Sequence, residues 1–486
     1  MSKRTRRQFL EDSMFAAAAA VTATSTGQLF AQDEEESTSP NERLSVAVVG
    51  VKGRGGSHLG AFSGRKDTQV TYICDVDSEV GMKRVTEVGK RQGGREPKYV
   101  KDIRDVLEDK SVDIVSIATP NHWHALGAIW SIQAGKDVYV EKPVSHNVSE
   151  GRRIVEAARR HKKICQTGTQ SRSNPGMIDA VKAVQGGDIG ECKLARGLCY
   201  KPRGSIGPRG NYMPPETVDY NLWLGPAPLA AVTRERFHYD WHWQWPYGNG
   251  DLGNQGIHQM DLARWGLGAT TLSDSVLSYG GRFGYEDAGD TANTQVVIHN
   301  FGEKSLVFEV RGLNTKDYKR SKVGVIFEGD KGYVVMTSYH SGAAFDRDGN
   351  MIKEFKGQDD HFGNFIKAVR SRKIEDLNAD IEEGHLSSAL CHTGNISYRL
   401  GSAVAAKDLE KKLAMIETAD NAQETLERTL AHLKDNNVDL SVAKITLGEQ
   451  LQFDPSEESF VDNDAADKML TRQYRKPFIV PDKGNV

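Results

Sequence analysis

Val46-Ala47-Val48-Val49-Gly50-Val51-Lys52-Gly53-Arg54-Gly55-Gly56 is a short apolar run that breaks into a glycine-rich turn, and Ser57-His58-Leu59 after it can begin a helix. Strand, glycine turn and helix in that order bring free backbone N–H groups and the positive end of a helix dipole to one point, which suits a pyrophosphate. The spacing departs from Gly-x-Gly-x-x-Gly: Lys52 stands at the second glycine position and Gly53 comes one residue later. Asp75 strengthens the reading. It follows a second apolar run, 70–74, at the distance where a carboxylate accepts hydrogen bonds from an adenosine ribose. Asp77 adds a second negative charge against a 2′-phosphate, so NAD is expected over NADP, held by Gly50, Gly53, Arg54, Gly55 and Asp75.

Outward from this turn the pattern alternates. Apolar runs at 45–49, 70–74, 113–118, 137–140 and 163–167 are separated by helix-like segments, the signature of a parallel sheet with crossover helices. Past about residue 167 the strand-like runs 276–279, 294–299, 305–310, 324–328 and 332–336 follow one another across Gly and Asp turns, which predicts an open, mainly antiparallel sheet. Helical periodicity returns at 362–372 and 382–400, and a tail helix carries Leu426, Leu430 and Leu433 on one side. The apolar end, Tyr474 and Pro477 to Val480, is expected to pack back on the body. The class is therefore α/β: a doubly wound dinucleotide domain at 43–167, a second α/β domain at 168–410 and an extension at 411–486.

Ahead of the body, residues 1–32 read as a twin-arginine signal: Thr5-Arg6-Arg7-Gln8-Phe9-Leu10, a weakly apolar stretch at 14–26 and a cut after Ala31. The acidic, polar stretch 33–42 is a linker. The Tat export machinery carries folded, cofactor-loaded cargo, so the expected location is the periplasm or otherwise outside the cytoplasm. A net charge of -3 with both signs mixed gives no footprint for nucleic acid, and no run after the leader is long and apolar enough to span a membrane. Five cysteines without Cys-x-x-Cys spacing read mostly as buried thiols, and Cys192 and Cys199 fall in one strand that cannot bridge itself. His238, His242 and His258 match no ligand spacing, so no metal is expected.

Two further motifs carry chemistry. Thr119-Pro120-Asn121-His122-Trp123-His124 and Glu141-Lys142-Pro143 each follow a strand, and ligands of open parallel sheets bind at those carboxyl ends. A lysine fixed there can donate to a substrate oxygen and relay its proton. Together with Gly50 to Gly55 and Gly253-Asn254-Gln255-Gly256-Ile257-His258, these motifs resemble the Gfo/Idh/MocA family over about 43–481. The resemblance implies a Rossmann domain followed by an α/β domain whose sheet covers the substrate and often mediates homo-oligomers. It implies Lys142 beside the nicotinamide, and Thr119, Pro120, Asn121, His122, His124, Glu141 and Gln170 with it in the cofactor site.

The family usually sets an aspartate four residues before its active-site histidine; here the pair is Asn254 and His258. That spacing predicts one helical face, with Asp261 a turn further on to orient the imidazole. Asparagine cannot share a proton, which leaves Lys142 and His258 as the acid–base pair, with Asn254 beside them. The aromatic stretch 237–247 suits either the faces of a sugar ring or a packed loop between domains. Lys201 and Arg203 read as solvated surface charges, and His361, His385 and His392 as structural. The expected protein is an exported NAD-dependent oxidoreductase acting on a secondary hydroxyl of a sugar or polyol, with its NAD held and recycled. The alternatives are an NAD-recycling glycosidase and a non-catalytic sugar- or nucleotide-binding homologue.

Overall fold

The computed structural model describes residues 43–486; the expected leader, 1–32, and linker, 33–42, lie outside the described residues. β1 (Leu44–Val49), β2 (Thr68–Cys74), β3 (Lys98–Val100), β4 (Ile114–Ile117), β5 (Asp137–Val140) and β6 (Cys165–Thr167) form a parallel sheet in the order β3-β2-β1-β4-β5-β6. The crossovers include α1 (Gly55–Ser63), α2 (Ser78–Arg91), α3 (Ile103–Leu107), α4 (Asn121–Gln133) and α5 (Val148–Arg160). Strand order reverses at β1, which pairs β2 on one side and β4 on the other, so a crevice opens above its carboxyl end. The strands are apolar at both parities because both faces are covered. Val46, Val48 and Ile73 pack with Leu59 and Phe62 on one face; Ala47, Val49 and Val115 pack with Leu126, Ile129 and Ile154 on the other.

α6 (Pro175–Gln185) leads into β7 (Cys192–Cys199), the middle of a second, open sheet. After α7 (Tyr220–Leu224), α8 (Gly250–Asn254) and α9 (Gly256–Leu267) come β8 (Ser275–Gly281), β9 (Thr294–Phe301), β10 (Lys304–Arg311), β11 (Val323–Gly329), β12 (Gly332–Met336), β13 (Ser341–Asp346) and β14 (Met351–Lys356). β7 pairs β10 in parallel and β11 antiparallel, and the other pairings of this sheet are antiparallel. The inner face, with Val297, Leu306, Phe308 and Phe327, buries Ile257, Met260 and Ala263 of α9 and Leu390 of α11 (Ile381–Leu400), which follows α10 (His361–Ser371).

On the outer face Leu277, Val296, Ile298 and Val307 meet Leu409 and Leu413 of α12 (Ala406–Leu413) and Leu426 and Leu433 of α13 (Ala422–Asp435). The alternation along β9, with Val297 inward and Val296 and Ile298 outward, is the two-residue period of a strand buried on both sides. The end of the chain returns to the first domain, where Phe478, Val480 and Val486 join its core and the Phe478 ring meets Trp123 edge-on at 5.5 Å. All five cysteines are free. Among the described residues no helix is long and apolar enough to cross a membrane, and no cluster of His, Cys, Asp or Glu could hold a metal ion.

Candidate active site

Gly50 ends β1 at φ +79, and a Cβ there would lie 2.8 Å from both Ala118 O and Thr119 N. Only glycine combines that backbone with so close an approach of neighbouring strand ends. Gly55 is wedged beneath the same turn, where a Cβ would collide with Gly50 O; it shapes the turn without lining the cavity. Gly53, in contrast, faces open space, and no side chain caps the first turn of α1. Asp75 is pinned at the wall of the crevice: Oδ2 accepts from Val51 N at 2.8 Å and Oδ1 from Asp77 N at 3.0 Å. Each oxygen keeps a lone pair. An uncapped helix N-terminus, an open glycine and a fixed carboxylate are what a dinucleotide's pyrophosphate and ribose require, so these residues fit NAD.

Asp77 does not face the ribose as a second free acid. It caps α2, accepting from Glu79 N at 3.1 Å, and its Oδ2 meets His238 Nε2 at 2.9 Å. That contact is one of several that fasten a strap from the second domain across the crevice. Asp219 N donates to Val76 O at 2.9 Å, Ser78 N to Thr217 O at 3.0 Å, and Trp123 Nε1 to Leu222 O at 2.9 Å. Leu222, Trp223, His238 and Trp241 thereby roof the cavity whose floor is the glycine turn.

Lys142 and Glu141 follow β5 into the same cavity. Lys142 is half-buried, and its Nζ donates to the backbone carbonyl of Asn254 at 2.7 Å. Burial first, then Arg54, Lys201 and Arg203 against the opposing pull of Glu141, push its ammonium down to about 8. Glu141 lies underneath. Burial works against its charge, but Arg54 Nε at 2.8 Å and His58 Nε2 at 3.1 Å hold its carboxyl well below the usual range. His58, read in the sequence only as part of a helix start, is buried and also bonds Ser116 Oγ at 2.8 Å, so it props the Glu141–Arg54 pair from below.

His258 lines the cavity, and its Nδ1 is buried without a hydrogen-bond partner in the structure. Burial, reinforced by Lys142, lowers its pKa well below that of a free imidazole, so the ring is neutral near pH 7. Two expectations about it change. Asn254 and His258 sit on separate helical segments, α8 and α9, that meet at Gln255, and the contact Asn254 makes to Lys142 is through its carbonyl. Asp261 does not orient the imidazole: its carboxylate takes Arg172 Nε at 2.8 Å and Nη2 at 2.9 Å, with Ser387 Oγ at 2.7 Å, inside the second domain. The ring beside His258 is instead Tyr339, 4.9 Å away, from the turn between β12 and β13. A tyrosine in a strand-to-strand turn gave no sequence signal of this.

Thr119, Pro120, Asn121, His124 and Gln170 line the cavity, and Asn121 Nδ2 also donates to Asn249 Oδ1 at 3.0 Å, joining the two domains. His124 lies between the carbonyls of Pro143 and Thr119, 2.6 and 2.8 Å away, and so ties the two motifs together. His122 is turned away. It is buried against Trp223 and Tyr247, with Nε2 on Trp223 O at 2.9 Å, and serves the strap rather than the cofactor cavity. The aromatic stretch divides: Phe237 and Tyr247 are packed core, whereas His238, Tyr239, Trp241 and His242 reach the cavity. Lys201 is exposed, as expected of a surface charge, whereas Arg203 is half-buried; both line the cavity.

Comparison with known proteins agrees with this architecture. Residues 44–169 match the family model of the oxidoreductase family's NAD-binding Rossmann fold, and 209–430 match that of its C-terminal alpha/beta domain. A glycosyl hydrolase family 109 protein of Shewanella sp. (strain W3-18-1) is 35% identical over 123 residues, 25% of this chain and 27% of that protein. Levoglucosan dehydrogenase of Pseudarthrobacter phenanthrenivorans is 26% identical over 242 residues, 49% of this chain and 54% of that one. The chain thus spans between about a quarter and about half of the length of these curated relatives. The WlbA dehydrogenase from Bordetella pertussis, solved with NADH and UDP-GlcNAcA, shares the fold at a TM-score of 0.53 and 20% identity, over 72% of this chain and 94% of that one. With the two family models covering more than half of its length, and with an NAD-binding Rossmann sheet followed by the mixed second sheet, this chain belongs to the Gfo/Idh/MocA oxidoreductase family.

Proposed function

We propose that this protein is an exported, NAD-dependent oxidoreductase that acts on a secondary hydroxyl of a sugar or polyol and keeps its cofactor from one turnover to the next. The observation that carries the reading is Lys142: a half-buried lysine in the cavity that begins at the glycine turn, its Nζ fixed on Asn254 O at 2.7 Å and its pKa pushed down to about 8. NAD, when bound, supplies the acceptor for the hydride leaving the carbinol carbon. The hydroxyl proton that must leave with it goes to the Lys142 amine. One N–H of that amine is engaged by Asn254 O, which leaves the lone pair of the neutral form free to face the cavity. His258, neutral and with an unpaired ring nitrogen, orients the hydroxyl. Of the two, Lys142 is the better proton acceptor because its pKa lies nearer the working pH.

Export rests on the twin-arginine reading of residues 1–32. Free NAD is not expected outside the cytoplasm, and the strap anchored at Asp77 and Val76 covers the trough from which a cofactor would leave. The relationship to levoglucosan dehydrogenase supports a sugar substrate. The likeness to a glycosyl hydrolase family 109 protein supports a second reading, a glycosidase that oxidises, eliminates, adds water and reduces again, with no net change in the cofactor. A purely binding homologue would not need a cavity lysine whose pKa is pushed down to about 8.

Mass spectrometry of the denatured purified protein tests the reading, with release of NAD or NADH expected. Incubation with sugars in D2O without added NAD then separates the two chemistries, since deuterium entering beside the oxidised carbon marks elimination. Sustained, stoichiometric NADH release from added NAD would overturn recycling and leave an ordinary dehydrogenase. Absence of cofactor together with absence of any sugar oxidation would overturn the whole reading.

A further inference from the structure

Two cations stand at the substrate end of the cavity beyond those the chemistry uses. Lys201 and Arg203 follow β7, whose end points at the space in front of Lys142 and His258. Arg203 is held in place: Asp251 takes its Nε at 3.0 Å and Nη2 at 2.7 Å, and its guanidinium lies over the Trp243 ring at 5.3 Å. Its remaining Nη1 reaches only the Tyr239 hydroxyl, at a long 3.4 Å. Lys201 has no carboxylate partner among the described residues. Its Nζ meets a neutral acceptor, Gln255 Oε1, at 3.2 Å. Gln255 in turn donates to the Tyr339 hydroxyl at 2.8 Å, and the Tyr339 ring lies against His258. A chain of contacts therefore connects Lys201 to the reacting end.

The acids of the cavity do not balance these charges. Asp75 and Asp102 line its adenosine end, near Lys52 and Lys101, and Glu141 is already matched by Arg54. Asp251, buried behind Arg203, neutralises that one cation. Lys201 and Lys142 are left in surplus, close enough that Lys201 depresses the pKa of both Lys142 and His258. Lys201 is exposed and solvated while the cavity is empty; an anionic substituent placed against it gains a charge-assisted contact that a neutral sugar cannot make.

We propose that Lys201 and Arg203 form an anion subsite, so that the sugar taken by this cavity carries a negatively charged group, a carboxylate or a sulfate ester. The inference rests on the sugar-oxidising reading above and specifies its substrate class. The test uses the NAD-loaded protein and needs no turnover, because Trp241 and Trp243 flank the site and report binding by fluorescence. D-glucuronate, D-glucose 6-sulfate and D-glucose are titrated in parallel.

At least one of the two anionic sugars is expected to bind about tenfold or more tightly than glucose at low salt, with the preference shrinking as salt is raised. Which one does so identifies the anion. Lys201→Met should reduce the preference to within about threefold, and Lys201→Glu should reverse it. Equal or better binding of glucose by the unmodified protein would overturn the subsite while leaving the oxidoreductase reading intact. An unchanged preference in both variants would likewise overturn it. Tight anionic binding that never reduces the bound cofactor would sink the oxidoreductase reading and not the subsite.

Discussion

Replacing Lys142 by methionine removes the group on which the proposed chemistry turns, and the structure sets the size and pH dependence of the effect. An unperturbed lysine at 10.5 is about 0.03% free amine at pH 7, whereas one at about 8 is about 9% free amine, a gain of about 300-fold. The sign follows from the direction of the shift. The amine is present above about pH 8 and is lost as pH falls through it, so the oxidation rate should drop about tenfold per pH unit below that point. The assay is single-turnover reduction of the bound nicotinamide, followed by absorbance from about pH 6 to about pH 10 in the unmodified protein. Lys142→Met should lower the rate by about two orders of magnitude or more and erase the inflection. Lys142→Arg, charged throughout, should fare no better. Lys201→Met should move the inflection upward, because one of the cations depressing Lys142 is gone. An inflection near the ordinary lysine value, or one that survives in Lys142→Met, would refute the reasoning.

Two other perturbations separate structural from chemical roles. Asp261→Asn weakens the buried pair with Arg172, which keeps Glu383 at 2.9 Å, and should cost about 1–3 kcal/mol, read as a fall of a few degrees in Tm, while the pH inflection of the surviving activity stays where it was. A moved inflection with unchanged Tm would return Asp261 to the catalytic group. Gly50→Ala places a methyl 2.8 Å from Ala118 O on a backbone at φ +79 and should give protein that no longer retains NAD through purification, as mass spectrometry would show. Cofactor retained at the unmodified level would mean that the cradle is not where the dinucleotide lies.

Much of the first domain was legible because its information is local. Each apolar run ends in residues that its strand delivers to one crevice, so Gly50, Asp75, Thr119 and Lys142 can be placed together from strand order alone. What failed was direction. α4 is buried on nearly every side, so its sequence shows no polar face from which to tell that His124 looks toward the cavity and His122 away from it. Helical spacing likewise put Asp261 near His258, but which side chain a buried carboxylate serves depends on its partners. Those partners, Arg172 and Ser387, come from residues far away in the chain.

Lys201 and Arg203 mark where a local reading had the means to succeed. They follow a strand just as Lys142 does, and any cation at a strand end that faces a cavity can meet a ligand there. The difference lay in the sheet. For a parallel doubly wound sheet all carboxyl ends face one way, so position predicts function. In the mixed second sheet β7 runs with β10 and against β11, and strand direction alone no longer tells which end meets the ligand. Its orientation is fixed only by packing, where α9 crosses β7 and Gly197 admits the Phe308 ring beneath Gln259. The substrate's charge is therefore written in residues whose meaning depends on a contact between elements that are far apart in sequence, while the cofactor's pyrophosphate is written in a turn of seven consecutive residues, Gly50 to Gly56, and its ribose in the carboxylate at the end of the next strand, Asp75.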